Sequence, residues 1–112
     1  MEGSPSGLMT HRVIMLRFAE DDLLEHFAKL EEFQEGRGYR FDQDVQRAVN
    51  LLAEYHHIGS VYVQPLRKWL LRDWSIGIFY TVESGRVMIS SLLDVRQHPE
   101  RILQILRSRL PQ

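Results

Sequence analysis

The sequence has no cysteine and no long hydrophobic run. Its 112 residues include no cysteine, which excludes a disulfide framework, cysteine-ligated zinc and a thiol nucleophile. No apolar stretch approaches the roughly 20 residues that a membrane-spanning helix needs. The first residues, MEGSPSGL, have neither the basic segment nor the apolar core of a secretory signal. We therefore expect a cytoplasmic protein with no membrane partner, a flexible leader over residues 1–10 and a single domain over residues 11–112.

Several common chemistries also lack their sequence signals. His56 and His57 are adjacent, so on a helix their side chains point about a hundred degrees apart, and no H-x-x-x-H spacing occurs. No G-x-S-x-G elbow is present, and the glycines of Gly36-Arg37-Gly38 follow a predicted helix instead of opening one. The sequence therefore predicts no metal site and no cofactor.

Charge is distributed unevenly along the chain, although the net charge is only −1. Residues 20–54 hold ten acids and four bases, a net charge of −6, and residues 55–112 hold four acids and eight bases, a net charge of +4. The basic half could face an acidic partner or a nucleic acid. Ordinary solvated helix faces would give the same asymmetry.

Two amphipathic stretches predict a helical hairpin. Residues 19–36 carry apolar side chains at helical spacing behind an acidic first turn. Residues 39–59 carry a packing seam with spacings of four and three residues. The stripe of the first helix is Leu23, Phe27, Leu30 and, less strictly, Phe33; the seam of the second is Phe41, Val45, Ala48, Leu52 and Tyr55. The few residues between the helices favour an antiparallel pair that packs on a sheet.

The remaining segments predict strands and a last helix. Residues 11–18 are an apolar run typical of a strand covered on both faces, and residues 65–72 predict another strand. Residues 74–82 and 86–96 alternate in period two around Ser84-Gly85, a hairpin turn. That alternation places Leu93 on the same face as Ile89, and Leu92 on the opposite face. Pro99 favours the start of a final helix. The predicted fold is α+β, a small antiparallel sheet packed by an N-terminal helical hairpin and a C-terminal helix, in the order β-α-α-β-β-β-α.

A polar group of residues stands where the last strand gives way to that helix. Asp94, Arg96, Gln97 and His98 could contact a target, or Asp94, Gln97 and His98 could cap the helix that Pro99 opens. Arginines on the sheet can clamp phosphates or carboxylates. A nuclease without metal would also need an acid or base, for which Asp94, His98 and Tyr80 are the local candidates.

The order and spacing of several short motifs resemble the RelE/ParE superfamily of type II toxin-antitoxin toxins, often called plasmid-stabilisation proteins. The resemblance covers about Val13 to Leu110. It is carried by Leu66-Arg67, by Ile78-Phe79-Tyr80-Thr81-Val82, and by the ending Leu92 to Glu100. Residues 11–112 are accordingly interpreted as a single RelE/ParE-like toxin domain.

The resemblance implies a toxin neutralised by a cognate antitoxin, in a homo- or hetero-oligomer. It implies two alternative targets: RelE-like members are metal-independent endoribonucleases that cleave messenger RNA in the ribosome, whereas ParE-like members inhibit DNA gyrase without a recognised catalytic centre. No tyrosine follows Tyr80, and Asp94 stands where many relatives carry histidine. These departures favour a ParE-like inhibitor that is not an enzyme, with the ribonuclease and a non-toxic interaction protein of this fold as alternatives.

The resemblance also selects candidate contact residues. The residues expected to contact the target or the antitoxin are Arg67, Arg86 and Arg96, with Asp94, Gln97 and His98 as accessory polar residues.

Overall fold

The helices form where the apolar spacing predicts them. A computed structural model describes residues 10–110. Helix α1 spans Arg17–Phe33, helix α2 spans Arg37–Glu54, and Gly36 between them adopts a φ of 86° that suits glycine. The second-helix seam is confirmed for Phe41, Val45, Ala48 and Leu52, all buried, whereas Tyr55 lies beyond the helix end and is exposed. Phe33 is also exposed, so the stripe of α1 ends at Leu30.

Five strands form one sheet. They are β1 (Arg12–Met15), β2 (Ser60–Val63), β3 (Leu66–Leu71), β4 (Ile76–Glu83) and β5 (Arg86–Asp94). Their order in the sheet is β1-β5-β4-β3-β2, with β1 parallel to β5 and all other pairs antiparallel. The short strand β2 is an addition to the three consecutive strands expected after the hairpin. A 3-10 turn over Arg72–Trp74 joins β3 to β4.

The prediction that residues 11–18 form a strand covered on both faces was wrong. β1 is only four residues long, lies at an edge of the sheet, and leaves Phe18 in α1. Val13 and Met15 pack into the core under the helical hairpin. The apolar run is continuous because it joins an edge strand to the first turn of a helix. The two-residue period of the strand and the helical period therefore cannot be separated in the sequence.

The β4–β5 hairpin turns as predicted, with positive φ at Ser84 (48°) and Gly85 (76°). A β-bulge changes its second half, since Phe79 pairs with Ser91 but Tyr80 pairs with Ile89. The extra residue reverses the alternation, so Leu92 joins Ile89 under the hairpin and Leu93 packs on the other face. The predicted face assignment of Leu92 and Leu93 was therefore wrong.

Helix α3 (Pro99–Arg109) covers the face of the sheet opposite the hairpin, and Pro99 is its first residue as predicted. Its Ile102 and Leu106 pack against Phe79, Leu93 and Leu66. The sheet is thus packed between the α1–α2 hairpin and α3. Within residues 10–110, no helix is long and apolar enough to cross a membrane. Apart from Thr10, the predicted leader lies outside the described residues.

Candidate functional site

The polar residues after β5 are bonded mainly to one another. Arg96 donates from Nε to Oδ1 of Asp94 (3.0 Å) and from Nη2 to Oδ2 (2.7 Å). The Gln97 amide donates to the Asp94 carbonyl oxygen (2.9 Å). Nδ1 of His98, the residue before Pro99, accepts from the Glu100 backbone N–H (3.2 Å). The helix-capping interpretation is therefore confirmed for His98, while Asp94 and Gln97 order the connection that leads to it.

Asp94 is held in its ionised form. The hydrogen bonds from the Arg96 side chain, which lie partly exposed to solvent, keep the pKa of this carboxyl below its usual value. A general acid that works near neutral pH needs a raised pKa instead. Asp94 therefore suits an electrostatic or structural role.

Arg67, on β3, stabilises the turn between α2 and β2. Its Nη1 donates to the backbone carbonyl oxygens of Gly59 (2.7 Å) and His57 (3.2 Å). The Gly59 N–H donates in turn to the hydroxyl of Tyr80, a fully buried residue opposite Arg67 in the β3–β4 register. Burial raises the pKa of Tyr80. Both side chains hold the segment between α2 and β2.

Two histidines of this turn form a stack with His11, the residue before β1. The rings of His11 and His56 have centroids 3.6 Å apart, and those of His56 and His57 are 4.2 Å apart. Nδ1 of His56 is buried with no hydrogen-bond partner among the described residues. Desolvation, followed by His11, His57 and Arg67, lowers the pKa of His56. The stack therefore favours the neutral imidazole. Within residues 10–110, no three His, Asp or Glu side chains are arranged to hold a metal ion.

The histidine stack gives a pH-dependent stability. Because the pKa of His56 is lower in the folded than in the unfolded protein, its stabilising contribution is complete above the ordinary value of 6.5 and declines as pH falls towards the folded-state pKa. We expect His56→Phe, which keeps a ring in the stack, to flatten the fall in the free energy of unfolding between pH 7 and pH 5.5. Urea titrations at several pH values measure it. His98→Asn, at an exposed position, is the matched control; an unchanged pH slope in His56→Phe would contradict the assignment.

The three candidate arginines do not form one site. Arg86 begins β5 and Arg96 lies two residues beyond its end, and the strand from Arg86 to Asp94 spans up to about 26 Å at roughly 3.3 Å per residue. Arg67 lies on β3, with β4 between it and β5. Arg86 is exposed. A contact role for each arginine stays a prediction, and a single partner would have to span the sheet to reach all three.

Sequence reasoning missed a buried ion pair that connects α1, β5 and α3. Arg109 donates from Nη1 to Oδ2 of Asp22 (2.6 Å) and to Oγ of Ser91 (3.0 Å), and both charged side chains are largely buried.

Oδ2 of Asp22 also accepts the Leu92 backbone N–H (2.9 Å), and Nε2 of His26 donates to the Leu92 carbonyl oxygen (2.7 Å). β1 pairs with β5 only as far as Ile89. Side chains of α1 thus satisfy Leu92 where the neighbouring strand has ended. Asp22 and Arg109 are 87 residues apart in the chain. In the sequence, Asp22 is one of several acids at the start of a predicted helix, where the helix dipole is the ordinary explanation for acidic side chains.

Two concave features lie between the helices and the sheet. A cavity of about 540 Å³ opens between α1, β5 and α3, with Asp94, Arg96 and Arg101 on its walls. A groove of about 590 Å³ runs between α2 and β3, with Leu51, Trp69 and Trp74 in its lining. Nε1 of Trp74 donates to Asp44 in this groove (2.8 Å). The groove offers an apolar floor with charged side chains around it, a composition suited to the apolar face of a partner segment.

Comparison with known proteins supports the fold assignment. No protein-family model and no curated protein matches the chain. Among solved structures, it is similar to a chain described as belonging to the chromosomal ParDE TA (toxin-antitoxin) system from P. aeruginosa. The TM-score is 0.67, 17% of residues are identical, and the match covers 75% of this chain and 95% of the other. The predicted ParE-like α+β fold is thereby confirmed.

Proposed function

We propose that this chain is the toxin of a type II toxin-antitoxin system, which inhibits growth in the cytoplasm by binding DNA gyrase and is neutralised by a cognate antitoxin. The observation that carries the proposal is the likeness in fold to a chain of a ParDE toxin-antitoxin system over 95% of that chain's length. The motif order from Leu66 to Glu100 supports the same interpretation independently of the fold comparison.

The surroundings of the candidate acids and bases favour binding over catalysis. Tyr80 is fully buried, with its hydroxyl bonded to Gly59. Asp94 is paired with Arg96, and His98 accepts a backbone N–H at the start of α3. General acid-base catalysis needs a group that reaches the substrate and exchanges protons near the working pH. These three side chains are instead committed to structural bonds, which supports an inhibitor that acts by association.

The groove between α2 and β3 is our candidate contact surface for the antitoxin. Ala48, Leu51 and Trp69 supply apolar lining, and Asp44 and Arg47 stand at its margin. An amphipathic segment could bury its apolar face there and place charged residues against the margin. Such a segment would pack against the second helix and the sheet at the same time.

Growth inhibition through gyrase predicts an order of events after induction. DNA synthesis is expected to fall before protein synthesis, because blocked gyrase stops replication directly. Pulse-labelling of DNA and protein over the first minutes in a bacterial host measures this order, and a supercoiling assay with purified gyrase follows. Co-expression of a short neighbouring reading frame that encodes the antitoxin should restore growth.

A control variant makes the result specific. His98→Asn keeps a capping side chain and removes a candidate base, so we expect it to retain inhibition, whereas the loss of an essential catalytic group would lower activity by orders of magnitude. An earlier fall in protein synthesis would contradict the gyrase target. Soluble protein that leaves both syntheses unchanged would contradict toxicity in that host.

A further inference from the structure

One face of the sheet exposes a compact group of side chains on β1, β5 and β4. In the β1–β5 register Arg12 lies opposite Arg86 and Ile14 opposite Met88; in the β4–β5 register Arg86 lies opposite Glu83 and Met88 opposite Thr81. The intervening Val13, Val82 and Val87 pack beneath the helical hairpin. Because side chains alternate along a strand, the other set points to the opposite face. We call this set the β1 face: Arg12, Ile14, Thr81, Glu83, Arg86 and Met88.

The β1 face has unbalanced positive charge. Arg12 and Arg86 are exposed neighbours on adjacent strands, about 4.8 Å apart at the backbone. Like charges placed directly opposite each other destabilise a sheet. Glu83 lies across from Arg86 on its other side, but among residues 10–110 neither arginine forms an ion pair. An external anion would relieve the repulsion that the register creates.

The β1 face borders an edge strand of the sheet. β1 ends the sheet and has β5 as its single neighbouring strand in the described chain. An extended segment can add to such an edge through backbone hydrogen bonds, while its alternate side chains select the sequence. Ile14 and Met88 are partly exposed beside the two arginines. A complementary segment would therefore present an acidic side chain and, two residues along, an apolar one.

We propose that the β1 face binds an extended acidic segment of a partner protein. The segment adds to the outer edge of β1, its carboxylate is held by Arg12 and Arg86, and its next side chain on that face packs on Ile14 and Met88. Guanidinium groups suit this role because they bind carboxylates through two parallel hydrogen bonds. None of the six residues is aromatic, so the face lacks the stacking platform on which single-stranded nucleic acids depend. The inference concerns binding alone and does not depend on growth inhibition.

A short peptide tests the proposal directly. Its sequence is Glu-Thr-Val-Thr-Glu with blocked ends, so that glutamate, valine and glutamate share one face in either strand direction. Titrated into the full ¹⁵N-labelled chain at low salt, it should shift the amide signals of residues 12–15 and 86–88. The double variant Arg12→Gln/Arg86→Gln should bind at least about tenfold more weakly, a change of roughly 1.4 kcal/mol. Added salt should weaken the wild-type interaction.

The controls separate this site from general charge attraction. Arg107→Gln removes another exposed arginine, on α3, and should bind the peptide like the wild type. The lysine counterpart Lys-Thr-Val-Thr-Lys should not bind. The proposal is overturned if the double variant, with the dispersed spectrum of a folded chain, binds as tightly as the wild type, if the shifts map elsewhere, or if a single-stranded oligothymidine binds the β1 face more tightly than the acidic peptide.

Discussion

Replacing Asp22 with alanine is expected to lower the free energy of unfolding by about 3–5 kcal/mol, the range for breaking a buried ion pair. The change leaves the Arg109 guanidinium in a largely buried position without its carboxylate and removes the acceptor of the Leu92 N–H. An uncompensated buried charge and an orphaned backbone donor both cost free energy. Urea unfolding followed by circular dichroism measures the loss.

The neighbouring aspartate supplies a matched control. Asp21 is mostly exposed and lies 3.7 Å from Arg17, so Asp21→Ala should cost less than about 1 kcal/mol. Arg109→Ala should also destabilise strongly, and the double variant Asp22→Ala/Arg109→Ala should lose less than the sum of the single losses. Equal, small effects at Asp21 and Asp22 would show that the buried pair contributes little.

Gly59→Ala is expected to destabilise the protein by about 2–4 kcal/mol, since overpacking costs roughly 1–3 kcal/mol and a lost hydrogen bond about 1 kcal/mol more. A Cβ atom at this position would lie 2.6 Å from the Tyr80 hydroxyl oxygen and 2.8 Å from the carbonyl oxygen of Lys68. The second contact is with backbone in a paired strand, which cannot rotate away. Thermal and urea unfolding of the variant check the prediction.

A second substitution identifies the source of that strain. Tyr80→Phe removes the hydroxyl, so Gly59→Ala should cost less in a Tyr80→Phe background, with a remainder caused by the Lys68 carbonyl oxygen and by the ring carbon Cε1 of residue 80, 2.9 Å from the added Cβ. Ser60→Ala, at the adjacent exposed position, should change stability by less than about 0.5 kcal/mol. If Gly59→Ala were as mild as Ser60→Ala, the close approach of the α2–β2 turn to the sheet would be wrong.

Local signals in the sequence were sufficient for most of the elements. The seam from Phe41 to Leu52 predicted α2, Ser84-Gly85 predicted the hairpin, and Pro99 predicted the start of α3. Each depends on interactions within a few residues, such as helical spacing, positive φ at a turn, or a proline at a helix start. The order of those elements and the motifs from Leu66 to Glu100 were enough to predict the fold class.

The candidate site was predicted less completely. The sequence identified the polar residues after β5, including the capping role of His98. It grouped Arg67, Arg86 and Arg96 as arginines of one small predicted sheet, whereas the strand lengths and order place them at separate positions. It also missed the cross-strand meeting of Arg12 and Arg86, because the two residues are 74 positions apart and meet only through the parallel pairing of β1 with β5.

The sequence by itself determined the helices, the hairpin turn, the asymmetry of charge and the α+β class, because these depend on composition and on contacts between near neighbours. Only the tertiary structure decided that β1 is an edge strand, that a bulge at Ser90 exchanges the faces of Leu92 and Leu93, and that Asp22 meets Arg109. Strand register and buried ion pairs join residues far apart in the chain, and their free energy depends on burial and partner geometry that no local pattern contains.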